Sequence, residues 1–253
     1  MNITQTFYDA LATQYDKLFQ DWEAACREQA EILDRLFCQY GFDRSARILD
    51  CACGIETQAI GLATLGYRVT ASDISDGELR EAQKRARNNK VSIQFRRADF
   101  CALGETFEDL FDIIICMDNA LPHMLTQKDL ETALKSITDQ MLPGGIFVAS
   151  IRDYDALLLQ KPPYSPPYIH KTGQTQRVSF QTWQWEEDCY KLIQYIIDDG
   201  EALRVSKFAC EYRAIRREEI TRILQTNGCE EVIWLFPKET EFYQSIVVAR
   251  KGG

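Results

Sequence analysis

The sequence predicts an α/β fold with a mostly parallel sheet, because strand-like and helix-like segments alternate between residues 46 and 151. The strand-like runs are RILDC, YRVTASD, VSIQFRRAD, FDIIICMD and GIFVASI. All but the third are nearly continuous apolar runs, which is typical of strands covered on both faces. Two further runs near the end of the chain, EEVIWLF and FYQSIVVARK, predict an antiparallel edge pair. The expected core is therefore a Rossmann-like sheet of seven strands.

The first strand and turn, residues 46–61 (ARILDCACGIETQAIG), organise this pattern. An apolar strand runs into a tight turn at Gly54 and then into a helix, whose first N–H groups are free to bind a ligand. The turn is not a G-x-G-x-x-G motif, because Ala52 occupies the first glycine position and Glu56 the second. This departure argues against a dinucleotide site.

Carboxylates follow three successive strands, namely Asp50, Asp73 and Asp99. An acidic residue about 20 positions beyond the first turn accepts hydrogen bonds from ribose hydroxyls, which suits Asp73. Asp99 can accept from the exocyclic amine of adenine, and the neighbouring Phe100 offers a stacking face. Each Asp alone is typical of a turn or a helix cap. Together they predict a nucleoside cofactor.

The segments on either side of the alternating region differ from it in pattern. Residues 3–40 predict two helices, the second capped by Asp21, and their aromatic residues Tyr8, Tyr15 and Trp22 suit either a core or a lid over a ligand. After residue 151, a proline-rich stretch and three strand-like runs predict an inserted antiparallel ribbon. We therefore expect a helical lid (1–45), an α/β domain (46–152 and 214–253) and a cap (153–213) within one compact unit.

Composition excludes several classes of protein. The formal charge is −9, with 38 acidic and 29 basic residues, which argues against a general nucleic-acid-binding surface. Nine cysteines without a C-x-x-C motif and only two histidines give no zinc spacing, so we expect no metal and buried thiols in a reducing cytoplasm. No basic-then-apolar leader and no apolar run of ~20 residues is present, so a soluble intracellular protein without membrane contact is expected. Nothing indicates the oligomeric state.

A set of motifs, DCACGIETQ, TASDIS, RRADF and IICMDNALPHM, resembles in order those of the class I S-adenosylmethionine-dependent methyltransferases. The segments DNALPHM and MLPGGIFVASIRDYD, with the ribbon that follows, resemble the glycine/sarcosine N-methyltransferase group. The likeness covers essentially the whole chain.

The resemblance implies S-adenosylmethionine as the cofactor. It assigns cofactor contacts to residues of the first turn, the later strand ends and the lid: Ala52 and Gly54 at the methionine portion, Asp73 at the ribose, Ile74, Asp99 and Phe100 at the adenine, Met117 beneath the cofactor, and Tyr15 and Trp22 over it.

The resemblance also implies that Asn119 and Arg152 hold an amino-acid substrate. The guanidinium fork of Arg152 suits a carboxylate, and the carbonyl oxygen of Asn119 can orient an amine. A surface salt bridge and a turn are the ordinary alternatives for these two residues. His170 stands where the family has a Tyr before a Lys, and Tyr8 is a further candidate for the substrate pocket. His123 is either a proton relay or a structural histidine.

Glu56 is the most serious departure, because the related enzymes usually have Gly at this position. Its carboxylate would either crowd the methionine carboxylate of the cofactor or turn out to solvent at the helix start. We expect the outward orientation, since two like charges close together weaken binding and a negative charge is favourable at a helix N-terminus.

These observations predict a methyltransferase that acts on the amine of a small amino acid such as glycine or sarcosine. Two alternatives remain, a methyltransferase for another small metabolite and a cofactor-binding protein without catalysis. A nicotinamide-dependent dehydrogenase is the least favoured, because of Ala52, Glu56 and the Asp99-Phe100 pair.

Overall fold

The computed structural model describes residues 3–172, 175–200 and 202–253. The predicted lid and cap also include residues 1, 2, 173, 174 and 201, which lie outside the described part. The strands are β1 Arg47–Asp50, β2 Arg68–Asp73, β3 Gln94–Arg97, β4 Phe111–Cys116, β5 Met141–Ile151, β6 Tyr168–Thr172, β7 Thr175–Glu186, β8 Cys189–Asp199, β9 Leu203–Arg213, β10 Cys229–Leu235 and β11 Ser245–Lys251. The helices are α1 Ile3–Leu11, α2 Trp22–Gln39, α3 Ala59–Thr64, α4 Asp76–Asn88, α5 Gln127–Asp139, α6 Tyr154–Gln160, α7 Arg217–Thr226 and α8 Pro237–Thr240.

The larger sheet has seven strands in the order β10-β11-β5-β4-β1-β2-β3. Strands β1 to β5 run parallel, whereas β11 is antiparallel to both β5 and β10. The predicted Rossmann-like, mostly parallel sheet of seven strands is therefore confirmed. Only β10 of the final antiparallel pair lies at the edge, because β11 is inserted between β10 and β5.

Burial explains the position of each strand in this sheet. Ile48 and Leu49 of β1 and Ile113 and Ile114 of β4 have no exposed surface, as expected of central strands with helices on both faces. The third strand, whose sequence is the least apolar, lies at the opposite edge and has two exposed arginines. The apolar content of each run thus agrees with its depth in the sheet.

The chain between β5 and α7 forms a separate antiparallel sheet in the order β6-β7-β8-β9. The three predicted runs became β7, β8 and β9. The sequence did not predict β6, which begins at Tyr168, directly after the proline-rich stretch, and pairs with β7. Nor did it predict α6, whose N-terminus is capped by Asp153 through the backbone N–H of Ala156.

Two helical predictions require correction. The first predicted helix ends at Leu11 and continues as a 3₁₀ turn over Ala12–Leu18. The stretch QKDLETALKSITDQML predicts a second helix, over residues 127–142, but the observed helix ends at Asp139, because Met141 already pairs with Phe111 at the start of β5. Pairing with the sheet therefore overrides the helical pattern of the last turn.

The N-terminal helix packs against α4, beside the end of β2. The Asp9 carboxylate accepts hydrogen bonds from the Ser75 hydroxyl at 2.7 Å and the Gly77 backbone N–H at 2.7 Å. A Cβ atom at Gly77 would lie 2.9 Å from the Cα atom of Asp9, so this close approach requires glycine. The contact places the predicted lid directly over the strand ends. No helix in the described part of the chain is long and apolar enough to cross a membrane.

Candidate active site

A cavity of about 520 Å³ opens at the carboxyl ends of β1, β2 and β4, which is the usual ligand-binding edge of a parallel sheet. Its wall includes most of the residues that the sequence predicted for the site. These residues are Tyr8, Tyr15, Ala52, Gly54, Asp73, Ile74, Asp99, Phe100, Met117 and His123. The predicted residues Trp22, Asn119, Arg152 and His170 do not line it.

Asp73 connects the first turn to α4. Its Oδ2 atom accepts the Gly54 N–H at 3.0 Å, and its Oδ1 atom accepts the Ser75 N–H at 2.9 Å. Because each carboxylate oxygen has two lone pairs, Asp73 retains acceptor capacity toward the cavity. Burial raises the pKa of Asp73, and the backbone hydrogen bonds oppose that rise.

The residues predicted for the adenine also line the cavity. Asp99 is exposed, lines the cavity and accepts the Cys101 N–H at 2.9 Å. Phe100 and Ile74 are partly buried on the same wall, and Met117 is buried at the end of β4. This wall offers apolar faces beside a carboxylate, as an adenine ring requires.

Sequence reasoning missed Asp118, although it follows β4 just as the other acidic residues follow their strands. Asp118 lines the cavity with a left-handed backbone, φ 56°. Its carboxylate accepts hydrogen bonds from Gln58 Nε2 at 2.9 Å and from Tyr243 Oη at 2.6 Å. Extending the strand-end rule from three strands to four would have found it.

The prediction that Glu56 turns out to solvent is wrong. Its side chain has no exposed surface, and neither carboxylate oxygen has a hydrogen-bond partner among the described residues. Its backbone adopts φ 81°, which favours glycine and directs the side chain inward instead of along a helix surface. Burial raises the pKa of Glu56 well above its usual range, and the neighbouring Asp50 adds to this.

His123 is held between the lid and the antiparallel sheet. Its Nε2 atom lies 2.9 Å from Tyr8 Oη, and its ring centroid lies 4.3 Å from that of Tyr212. Burial lowers the pKa of His123 to about 3. The imidazole is therefore neutral at ordinary pH and binds Tyr8 as a hydrogen-bond partner, which argues against a charged proton relay.

Arg152 and Asn119 lie behind the cavity wall in a cage of polar and aromatic groups. The Arg152 guanidinium donates to Tyr190 Oη at 2.9 Å and to Gln181 Oε1 at 3.0 Å, and its carbon lies 5.1 Å from the Trp183 ring centroid. No ion pair between described residues involves Arg152. Asn119 is 3% exposed, and its Oδ1 atom accepts the Arg152 backbone N–H at 3.1 Å.

Trp22 and His170 lie outside the main cavity. Trp22 is buried, and its Nε1 atom donates to Thr57 Oγ1 at 3.2 Å. The guanidinium carbon of Arg85 lies over its ring, 4.4 Å from the ring centroid. His170 lies on β6 and lines a second cavity of about 440 Å³ with Lys17 and Arg177. Trp22 thus acts on the site through Thr57 of the cavity wall, and the position of His170 gives it no contact with the main cavity.

The main cavity is strongly acidic. Five acidic residues line it, and no Lys or Arg does among the residues the structure describes: Asp73, Asp99, Asp118, Asp129 and Glu211. Asp50 lies beneath the first turn, where burial raises its pKa to about 8. A site of this charge favours a cationic ligand.

The sequence model of a family described as a methyltransferase domain matches residues 48–145. The glycine/sarcosine N-methyltransferase of Parasynechococcus marenigrum (strain WH8102) is 28% identical over 154 residues, which cover 61% of this chain and 53% of that protein. The glycine N-methyltransferase of Rattus norvegicus is 33% identical over 123 residues, covering 44% and 42%. The chain thus aligns with about half the length of these relatives.

Solved structures share the whole fold. An S-adenosylmethionine-dependent methyltransferase from Clostridium acetobutylicum superposes with a TM-score of 0.76 at 20% identity, covering 97% of this chain and 99% of that one. An amino pentose methyltransferase from Micromonospora echinaspora, solved with S-adenosylmethionine bound, gives 0.73 at 17% identity, covering 94% and 95%. The predicted resemblance to the class I S-adenosylmethionine-dependent methyltransferases is confirmed, with a methyltransferase domain matched over residues 48–145.

The residues present fit S-adenosylmethionine, the cofactor of this family. The donor carries a ribose, an adenine, an ammonium and a sulfonium. The wall supplies the Asp73 carboxylate and the apolar faces of Ile74 and Phe100. Asp50 and Glu56 do not line the cavity, but they flank its lining residues in the chain and carry buried carboxyl oxygens without partners among the described residues. Orphaned buried oxygens beside the first turn match the cations of such a ligand.

Replacing Glu56 with Gly is expected to stabilise the protein without ligand by about 1–3 kcal/mol, because it removes both a strained backbone and an unpaired buried carboxyl. Chemical denaturation measures the change. Glu187→Gly is the matched control, since Glu187 has φ 53° but is exposed, and reports the backbone contribution alone. A Glu56→Gly variant no more stable than wild type would show that the carboxyl has a stabilising partner.

The stability of the ligand-free protein is expected to fall as the pH rises from about 4 toward 8. The folded protein keeps the proton on Asp50, whose pKa is about 8, whereas the unfolded chain releases it near its ordinary value of about 4. Asp50→Asn should flatten this decline in denaturation curves measured across the range. Asp109→Asn, at an exposed position, should leave the slope unchanged. An equally steep decline in the Asp50→Asn variant would contradict the assignment.

Proposed function

We propose that the protein transfers a methyl group from S-adenosylmethionine to the amine of a small amino acid such as glycine or sarcosine. The single observation that carries the substrate class is Arg152, a permanent cation held in an aromatic cage without a carboxylate partner among the described residues. Arg152 is partly buried, and a cation withdrawn from water without a counter-ion costs free energy that a substrate carboxylate would recover. The partial alignments with glycine N-methyltransferases support this choice.

When bound, S-adenosylmethionine supplies an electrophilic methyl group on a sulfonium. In this proposal Asp73 holds the ribose hydroxyls, and Asp99, Phe100 and Ile74 hold the adenine. Ala52 and Gly54 bring the backbone close to the methionine portion, and Met117 packs beneath the cofactor. Tyr15 closes the cavity from above.

In this proposal, Arg152 and Asn119, which lie behind the cavity wall, orient the substrate. The Arg152 fork would bind the substrate carboxylate in exchange for its present acceptors, Tyr190 and Gln181. The Asn119 carbonyl has a second lone pair to orient the amine, and Tyr8 limits the pocket from the lid side. The reaction needs an uncharged amine in line with the methyl group, so the contribution of the protein is proximity and orientation. No obligatory general base is assigned, and His123 positions Tyr8.

The helical segment 1–45 acts as a lid and residues 153–213 as a cap in this proposal. Tyr8 and Tyr15 reach the cavity from the lid. Lys17 pairs with Asp198 at 2.6 Å, and the Ser206 hydroxyl donates to Gln14 Oε1 at 2.9 Å, so these side-chain contacts join lid and cap. Nine free cysteines support a reducing, cytoplasmic location.

A second candidate is methylation of an amine on a larger metabolite such as an amino sugar. Its support is that Arg152 does not line the cavity, whereas Glu211 of β9 does and would attract a cationic amine. The similar fold of an amino pentose methyltransferase agrees with this alternative. Assays of S-adenosylhomocysteine formation with glycine, sarcosine and dimethylglycine decide between the two. Absence of turnover on all three, with turnover of an amino sugar, would overturn the amino-acid assignment.

Arg152→Lys is expected to raise the KM for the amino acid by roughly 10–100-fold, because lysine keeps the charge but loses the two-pronged hydrogen bond to the carboxylate. The affinity for S-adenosylmethionine, measured by calorimetry, should stay unchanged and shows that the variant is folded. Arg68→Lys, at an exposed position on β2, is the control and should leave KM unchanged. An unaltered KM in Arg152→Lys would remove Arg152 from the substrate site.

A further inference from the structure

Two buried carboxyl groups, Glu56 and Glu78, flank the first turn without any assigned function. Neither side chain has exposed surface, and none of their four carboxyl oxygens has a hydrogen-bond partner among the described residues. Glu78 Oε2 lies 3.7 Å from the point where a Cβ atom on Gly54 would be. Glu56 and Glu78 do not line the cavity themselves, but Glu78 approaches Gly54 of its wall, and Glu56 lies in the chain between the lining residues Ile55 and Thr57. Both groups therefore lie just behind the wall of the proposed methyl-donor site.

The fold itself does not require these two carboxyls. Glu56 occupies a left-handed position where glycine would relieve strain. Ser75 and Glu78 have the spacing of a helix capping box, in which Glu78 would accept the Ser75 N–H. That N–H donates instead to Asp73 at 2.9 Å, so Glu78 is left without its capping partner. Unpaired buried carboxyls cost stability, which points to a ligand that compensates them.

The surroundings of both groups are predominantly acidic. Three groups, from β1, the first turn and β2, influence the pKa of Glu56: Asp50, Cys53 and Asp73. Cys26 of α2 is also influenced by Glu56. Four groups, from α1, β2 and α4, influence the pKa of Glu78: Asp9, Asp73, Glu81 and Arg85. Arg85 is the one cation in this set, and it lies 3.5 Å from Asp16 and against Trp22.

We propose that Glu56 and Glu78 make the methyl-donor site selective for net positive ligands, so that the sulfonium donor binds more tightly than its neutral thioether product and displaces protons from this pair. This inference rests on the proposed function. The O–H bond of a protonated carboxyl breaks, its proton passes to the buffer, and the carboxylate charge then acts on the ligand cation across the cavity wall. No other reactant is needed.

Electrostatics sets the sign of this coupling. Burial raises the pKa of both groups, so they hold protons in the ligand-free protein. A cation nearby stabilises the ionised carboxylate and lowers its pKa, which releases the proton and strengthens binding as the pH rises. Each pKa unit of coupling corresponds to about tenfold in affinity. Donor and product differ only at sulfur, which carries a methyl group and a positive charge in the donor and neither in the product, so the charge term favours the donor and product inhibition should be weak.

Calorimetric titrations with S-adenosylmethionine and S-adenosylhomocysteine, in two buffers of different ionisation enthalpy, test the inference. Wild type should bind the donor about tenfold or more tightly than the product and should release more protons with the donor. Glu56→Gln and Glu78→Gln should each reduce both differences. Glu108→Gln removes an exposed charge that does not line the cavity and should change neither.

The inference is overturned if wild type and both variants show the same preference for the donor over the product and release the same number of protons. The methyl-donor assignment would then remain intact. A uniform gain in affinity for both ligands in Glu56→Gln would also overturn it, because it would show that Glu56 opposes the shared methionine carboxylate. If neither ligand binds wild type, the methyl-donor assignment fails and the inference fails with it. Glu56→Gly, which suits the backbone of that position, repeats the measurement if the Gln variant does not fold.

Discussion

The convergence of four strand ends is the constraint on which the rest of this structure depends. Strand β1 lies between β4 and β2, so the residues that follow these strands meet at one edge of the sheet. Asp50, Asp73 and Asp118 are brought together there in a partly buried rim, with Asp99 at the adenine side. Burial raises the pKa of Asp50, Asp73 and Asp118, and the nearby Asp73 and Asp118 raise that of Asp50 further, so this edge favours either protons or a cationic ligand. The acidity of the site therefore follows from the topology of the sheet.

The neighbouring elements pack in ways that preserve this rim. Asp9 of α1 binds the N-terminus of α4, and the absence of a side chain at Gly77 allows the two helices to approach. The Gln58 Nε2 atom donates to Asp118 Oδ2 at 2.9 Å and to Oε1 of Gln29 in α2 at 2.7 Å. The helices thus fix the positions of the carboxylates and cover the cavity.

Several residues at this edge of the sheet have features that lower the stability of the folded protein. Glu56, Asp118 and Asn119 all have positive φ angles, and unpaired buried oxygens occur at Asp50 and Glu56. Strain and unpaired charge of this kind persist at functional sites when the surrounding structure holds them and a ligand compensates. The relation of the site to its ligand is then one of charge complementarity as much as of shape.

Much of the fold was predictable from the sequence, because strand burial is encoded locally in apolar runs such as Ile113–Ile115. The acidic lining of the cavity was predictable for a similar reason, since Asp73 and Asp99 each follow a strand and the ends of parallel strands share one edge. Nothing in the local sequence distinguishes an inward Glu56 from an outward one, because its direction depends on the left-handed backbone angle, φ 81°, that the turn adopts in the folded chain.

The same limit applies to residues placed by long-range packing. Whether Trp22 reaches the cavity depends on how the lid docks, and whether His170 does depends on a strand, β6, that follows a proline-rich stretch. Arg152 was predicted as a carboxylate ligand, but its aromatic cage comes from β7, β8 and β9, whose register the sequence pattern does not specify. Asp118 was missed although the strand-end rule applied to it equally.

A structure of the protein with S-adenosylhomocysteine tests the central claim most directly, namely that the carboxylates at the strand ends form the site of the methyl donor. The account predicts that the ribose hydroxyls bind the Asp73 carboxylate and that the adenine lies between Ile74 and Phe100 beside Asp99. The methionine portion should run along Gly54, over Glu56 and Asp50. A nucleoside bound in this cavity without contact to Asp73, or bound elsewhere on the molecule, would contradict it.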